Sequence, residues 1–88
     1  MSLDDAIVSL RRYADHGVPT GGFLQAVLEN DLFGAMCRAD ESSRANLQEI
    51  CRYVYNDMPG GCWGSKLHIE RWIAHHMLAR EIGPEVTQ

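Results

Sequence analysis

Apolar residues recur at three- and four-residue spacing through most of this 88-residue chain. Leu3, Ile7, Leu10 and Ala14, widened by Ala6 and Tyr13, form one stripe and predict a helix over 3–16. Ser2 is its expected N-cap, Asp4 and Asp5 suit its N-terminal dipole, and His16-Gly17 ends it. Val18 to Gly22 reads as a turn, with Thr20 as the N-cap of a second helix that buries Phe23, Leu24, Val27 and Leu28. Asn30-Asp31 then interrupts the pattern. Asp31 can cap a further helix containing Leu32, Phe33, Ala35, Met36 and Ala39. The pattern leaves open whether 21–39 is one kinked helix or two short ones.

Asp40 to Ser43 is polar and rich in capping residues, and a helix is expected from there to about Asp57. Leu47, Ile50, Cys51, Val54 and Met58 give it the cleanest amphipathic stripe in the chain. Its opposite face carries Gln48, Glu49, Arg52 and Asn56, and Pro59-Gly60-Gly61 stops it. Ser65 is the next N-cap. A last helix is expected from Lys66 to about Ile82, with Ile69, Trp72, Ile73, His76 and Met77 on one face and Gly83-Pro84 as its stop. No stretch alternates with period two. The expected fold is therefore all-α: one small domain over 1–83, four to five short helices in a compact bundle or orthogonal array, and a flexible tail over 84–88.

Composition narrows the function. A net charge of −4 argues against nucleic-acid binding, which needs a basic face. The first 60 residues hold five Arg against nine acids, so the acidity sits there. Cys37, Cys51 and Cys62 follow no metal or redox spacing and read as free thiols in a reducing cytoplasm. No apolar run is long enough for a membrane span, and the acidic start Met-Ser-Leu-Asp-Asp is unlike a signal peptide.

Candidate chemistry is sparse. His68 and His75 are seven apart, about 10 Å along one helix face, too far to share a metal. No metal site, cofactor or catalytic set is expected. Cys62 stands near a helix start, where a thiol pKa falls, although packing in the glycine loop is the commoner role of such a residue. Thr20-Gly21-Gly22 and Gly61-Cys-Trp-Gly-Ser65 both feed helix N-termini. If these ends lie side by side, with Arg11, Arg12 or Lys66 near, they could hold an anion such as a nucleotide. Tyr55 falls off the stripe of its helix, and Trp63 sits between glycines. Exposed, these two rings with Asn56 and Arg52 would make a partner-binding face; buried, Trp63 would be a plug.

The run Arg12-Tyr-x-x-His-Gly-Val-Pro-x-Gly-Gly-Phe-Leu-x-Ala-Val-Leu-x-Asn-Asp-Leu32, with Tyr53-x-Tyr-Asn56-x-x-Pro59, Cys62-Trp-Gly-Ser65 and Trp72, resembles small accessory proteins of tailed phages and prophages. The likeness covers about residues 10–73. It implies a habitat, the bacterial host cytoplasm, and carries no catalytic or ligand residues with it. Small acidic proteins of that kind often bind a host protein, and anti-CRISPR inhibitors are examples. The leading expectation is thus a non-enzymatic protein-binding module, an inhibitor of a host defence complex whose partner presents a basic surface. An anion-binding sponge and an oligomer-forming structural component are the alternatives.

Overall fold

The computed structural model describes the backbone of residues 1–86 and the side chains of residues 1–79. Six α-helices and one 3-10 turn follow one another, with no strand among the described residues. The chain is an all-α domain.

Helix α1 spans Leu3–His16. Ser2 Oγ accepts from Asp5 N at 3.1 Å, and Gly17 closes the helix in the left-handed region at φ +69°, its N–H donating to Tyr13 O. The stripe read from the sequence is the one buried: Ala6, Leu10 and Tyr13 are nearly inaccessible.

The 21–39 stretch is two helices, α2 (Gly22–Leu28) and α3 (Leu32–Arg38). Asn30 adopts φ +63°, Asp31 N donates to Ala26 O, and Asn30 N donates to Val27 O. That pair of bonds is a Schellman termination, with Asn in the position glycine usually takes. Asp31 then caps α3, its Oδ1 accepting from Gly34 N at 3.0 Å. A Cβ on residue 34 would collide with that carboxylate, so glycine fits the cap. Thr20, expected as the N-cap of α2, does not serve. Gly21 is the cap residue, without a side-chain bond, and Thr20 Oγ1 turns to Gly21 O.

The helix expected from about residue 43 to Asp57 is divided into α4 (Glu41–Ala45) and α5 (Leu47–Asp57). Asn46 causes the break: its side-chain amide donates to Ser42 O at 3.0 Å, and its backbone leaves helical geometry at φ −102°, ψ 4°. Asp40 caps α4 through Ser43 N at 2.7 Å and receives the N-terminal ammonium of Met1 at 3.0 Å. These contacts hold the Asp40 carboxyl down at about 2, chiefly through the bonds from Ser43. They also tie the chain's start to α4.

Pro59 ends α5, and Gly60–Cys62 makes the 3-10 turn. Helix α6 spans Lys66–Val86, with Ser65 Oγ accepting from His68 N at 3.3 Å as its cap. Its backbone continues through Gly83-Pro84, where a stop was expected. Thr87 and Gln88 lie outside the described residues.

The core runs from Ala6, Leu10 and Tyr13 through Phe23, Leu24 and Leu28 to Ile50, Val54, Met58, Cys62 and Ile69. Several expected apolar positions fall outside it, Cys51 on α5 among them. Met77 on α6 is half exposed, and α3 buries only Ala35 of its apolar residues while Leu32, Phe33 and Met36 face solvent. Four long-range bonds fix the loop between α5 and α6 and the start of α6. Tyr13 Oη donates to Cys62 O at 2.7 Å, Gly64 N donates to Leu28 O at 2.7 Å, and Trp72 Nε1 donates to both Tyr13 O and Ala14 O. That locked loop sets where Trp63 stands.

Candidate partner-binding groove

Tyr55 occupies the outer edge of α5 because it lies off the buried stripe, and its ring is 73% exposed. The loop bonds of Cys62 and Gly64 bring Trp63 beneath it. The two ring centroids are 5.9 Å apart with planes tilted by 57°, a geometry favoured by aromatic pairs. Trp63 is half buried. Its Nε1 is fully covered and has no acceptor among the described residues. A buried donor without a partner costs about 1–3 kcal/mol, so this indole is held in place by its surroundings at some expense.

From this pair an apolar groove runs along α5. One lobe is lined by Val27, Asn30, Cys51, Val54, Tyr55 and Trp63. The next is lined by Val27, Asn30, Leu32, Ala35, Leu47 and Cys51, with Asp31 at its edge. Val27, Asn30 and Cys51 belong to both, so the lobes are continuous. On the α5 wall Leu47, Cys51 and Val54 or Tyr55 recur at i, i+4 and i+7 or i+8, the spacing that keeps them on one face for about 12 Å. The opposite wall is the junction of α2 and α3. At the far end Leu32 is 64% exposed.

The four expected partner-binding residues therefore divide. Tyr55 and Trp63 come together at one end of the groove. Arg52 and Asn56 lie on the neighbouring outward face of α5, Arg52 pairing with Glu49 at 3.3 Å and Asn56 donating to Arg52 O at 3.0 Å. The groove residues that sequence reasoning passed over are Val27, Leu32, Leu47 and Cys51. No signal in the sequence marked Leu32, because the seven-residue length of α3 and its inward position at Ala35 are properties of the fold.

The residues considered for an anion site do not converge. Gly64 N rests on Leu28 O, so Ser65 lies at the C-terminal end of α2, whereas Gly21 and Gly22 lie at its N-terminal end. Six residues of helix, about 9 Å, separate those ends. Gly22 neighbours Arg38, while Arg12 stands exposed on α1. Ser65 Oγ is engaged by His68 Nδ1 at 2.7 Å and by His68 N. Among the described residues no group of three His, Cys, Asp or Glu could hold a metal ion, and no helix is long and apolar enough to cross a membrane.

The thiols differ in environment. Cys62 is buried, its Sγ lies 3.1 Å from Pro59 O, and burial pushes its pKa up to about 11. The alternative of a thiol activated by the helix end is thus corrected, because desolvation outweighs the dipole. Cys37 and Cys51 are both exposed, and partial desolvation against the groove raises the Cys51 thiol. In a thiol-reagent time course at pH 8, Cys37 is expected to react first, Cys51 more slowly, and Cys62 only on unfolding. Rapid native labelling of Cys62, read by peptide mass, would show the loop to be open.

No protein-family model matches this chain, and no curated protein or solved structure matches it significantly.

Proposed function

We propose that this protein is a non-enzymatic binding module that captures another protein in the groove between Leu32 and Trp63. The observation that supports it is the continuity of that groove with two large exposed side chains at its ends, Tyr55 and Leu32. Aromatic anchors beside a preformed apolar channel are the usual makings of a binding hot spot. The partner supplies an apolar segment for the channel and a basic flank for the acidic surface, consistent with a net charge of −4. In this reading the protein acts in the bacterial cytoplasm as a phage accessory protein that inhibits a host defence complex, a role suggested by the sequence motifs alone. The separation of the two glycine-led helix ends gives no support to the nucleotide-sponge alternative.

The test is affinity capture from host lysate with quantitative mass spectrometry. Tyr55→Ala and Leu32→Arg change exposed positions, so both variants are expected to keep wild-type circular dichroism and melting. Each is expected to lose a partner that the wild type retains, by tenfold or more. Capture undiminished in both variants would rule out the groove as the binding surface.

A further inference from the structure

Asn30 is the one amide side chain that lines the groove between Leu32 and Trp63, and it lines both lobes. It stands exposed at the α2–α3 junction, on the wall opposite α5. Its backbone N–H is spent on Val27 O, whereas its side-chain oxygen and NH2 have no hydrogen-bond partner among the described residues. The fold does not need that side chain. Residue 30 closes α2 in the left-handed region at φ +63°, the place glycine usually takes.

An asparagine amide offers one acceptor and two donors. In an extended chain the N–H and C=O of one residue point to the same side, so a single carboxamide can bond both. In the body of a helix those groups are already paired with each other. The size of the groove agrees. A folded partner buries about 800 Å² per side, far more than a groove of this length presents, so the groove is sized for a short segment. About four extended residues span the ~12 Å of its α5 wall, and side chains two apart share a face. The lobe at Tyr55 and Trp63 holds about 190 Å³ and the lobe at Leu32 about 80 Å³. A cavity of about 150 Å³ takes a benzene ring, so the first lobe admits a phenylalanine or leucine side chain and the second only a smaller one. Charge takes no part in the choice: Asp31 is the one charged residue of the lining, and its Oδ1 already accepts from Gly34 N.

We propose that the groove holds an extended segment of the partner chain, about four residues long, whose backbone is hydrogen-bonded by the Asn30 side chain. A large apolar side chain fills the lobe at Tyr55 and Trp63, and a small one two residues away fills the lobe at Leu32. This inference rests on the groove being the binding surface.

Panning a phage-displayed library of random linear peptides, about 12 residues long, against the whole protein tests it. Enriched peptides whose binding is lost in Tyr55→Ala are expected to share a large apolar residue with Ala, Ser or Val two positions away. The best of them, synthesised, is expected to bind Asn30→Gly tenfold or more weakly than the wild type, with melting unchanged because glycine suits φ +63°. N-methylation of that peptide, one backbone amide at a time, is expected to weaken binding at one position in the wild type and to have little effect there in Asn30→Gly. Tyr55-dependent peptides with helical i, i+4 spacing, or unchanged affinity in Asn30→Gly, would overturn the extended segment while leaving the groove as the binding surface. A library that yields no Tyr55-dependent peptide would overturn it as well. Loss of a lysate partner in Leu32→Arg then shows separately whether the groove reading stands.

Discussion

Tyr13→Ala is expected to remove most of the protein's stability at 25 °C. The ring is 1% exposed in the last turn of α1, and its hydroxyl donates to Cys62 O at 2.7 Å across 49 residues of chain. Truncating a buried aromatic to alanine costs about 3–5 kcal/mol. Losing the hydroxyl also orphans a buried carbonyl, at about 1–3 kcal/mol. Domains of this size are stable by only about 5–10 kcal/mol, so the sum removes most of that stability. Tyr13→Phe separates the two contributions. It keeps the ring, loses only the bond, and is expected to lower the melting temperature by about 5–15 °C. Chemical denaturation of the three proteins measures both steps. A loss below about 2 kcal/mol for Tyr13→Ala would show that the loop between α5 and α6 is held by something other than α1.

Gly17→Ala is expected to cost about 2–4 kcal/mol. Residue 17 sits at φ +69°, where a non-glycine residue is strained by roughly 1–2 kcal/mol. An added Cβ would also stand 2.5 Å from His76 Cβ, so α1 and α6 would have to separate. A Cβ has no rotamer by which to escape, so His76→Ala does not relieve the contact. His76→Gly does, and Gly17→Ala should cost less in that background, by 1 kcal/mol or more in a double-mutant cycle. Gly60→Ala is the control. Nothing lies within 4 Å of a Cβ there, and the change should stay within about 0.5 kcal/mol. Equal costs at residues 17 and 60 would refute the close approach of α1 to α6.

Much of the fold was legible because it depends on local chemistry. Ser2, Asp31 and Ser65 cap the helices they precede, since short oxygen-bearing side chains can reach the free N–H groups of a first turn. The stripe of α5 buries Ile50, Val54 and Met58 because 3.6-residue periodicity and burial are one fact seen twice. Asn30 and Asn46 show where local reading stopped. Both can bond to nearby backbone, and whether a given Asn breaks a helix depends on what the following segment must reach. Thr20 is the opposite case, a good capping residue that lost its place because the turn positioned Gly21 there.

The groove was half legible. Tyr55 announced itself by falling off its stripe, and Trp63 by standing between glycines. Their meeting depends on Cys62 O being held by Tyr13 and Gly64 N by Leu28, contacts 49 and 36 residues apart that no local pattern encodes. Leu32 and Phe33 looked like ordinary members of an apolar helix. They face solvent because α3 is only seven residues long and spends its inward position on Ala35.

By itself, then, the sequence determined the helical class, most of the caps and much of the buried stripes, since these follow from periodicity and backbone hydrogen bonding over a few residues. Only the tertiary structure decided which apolar residues remained outside. It set the channel from Leu32 to Trp63 between α5 and the α2–α3 junction, and kept the two glycine-led helix ends apart. Those outcomes depend on how six short helices share one small core, a competition for interior space that is settled by packing distant segments together.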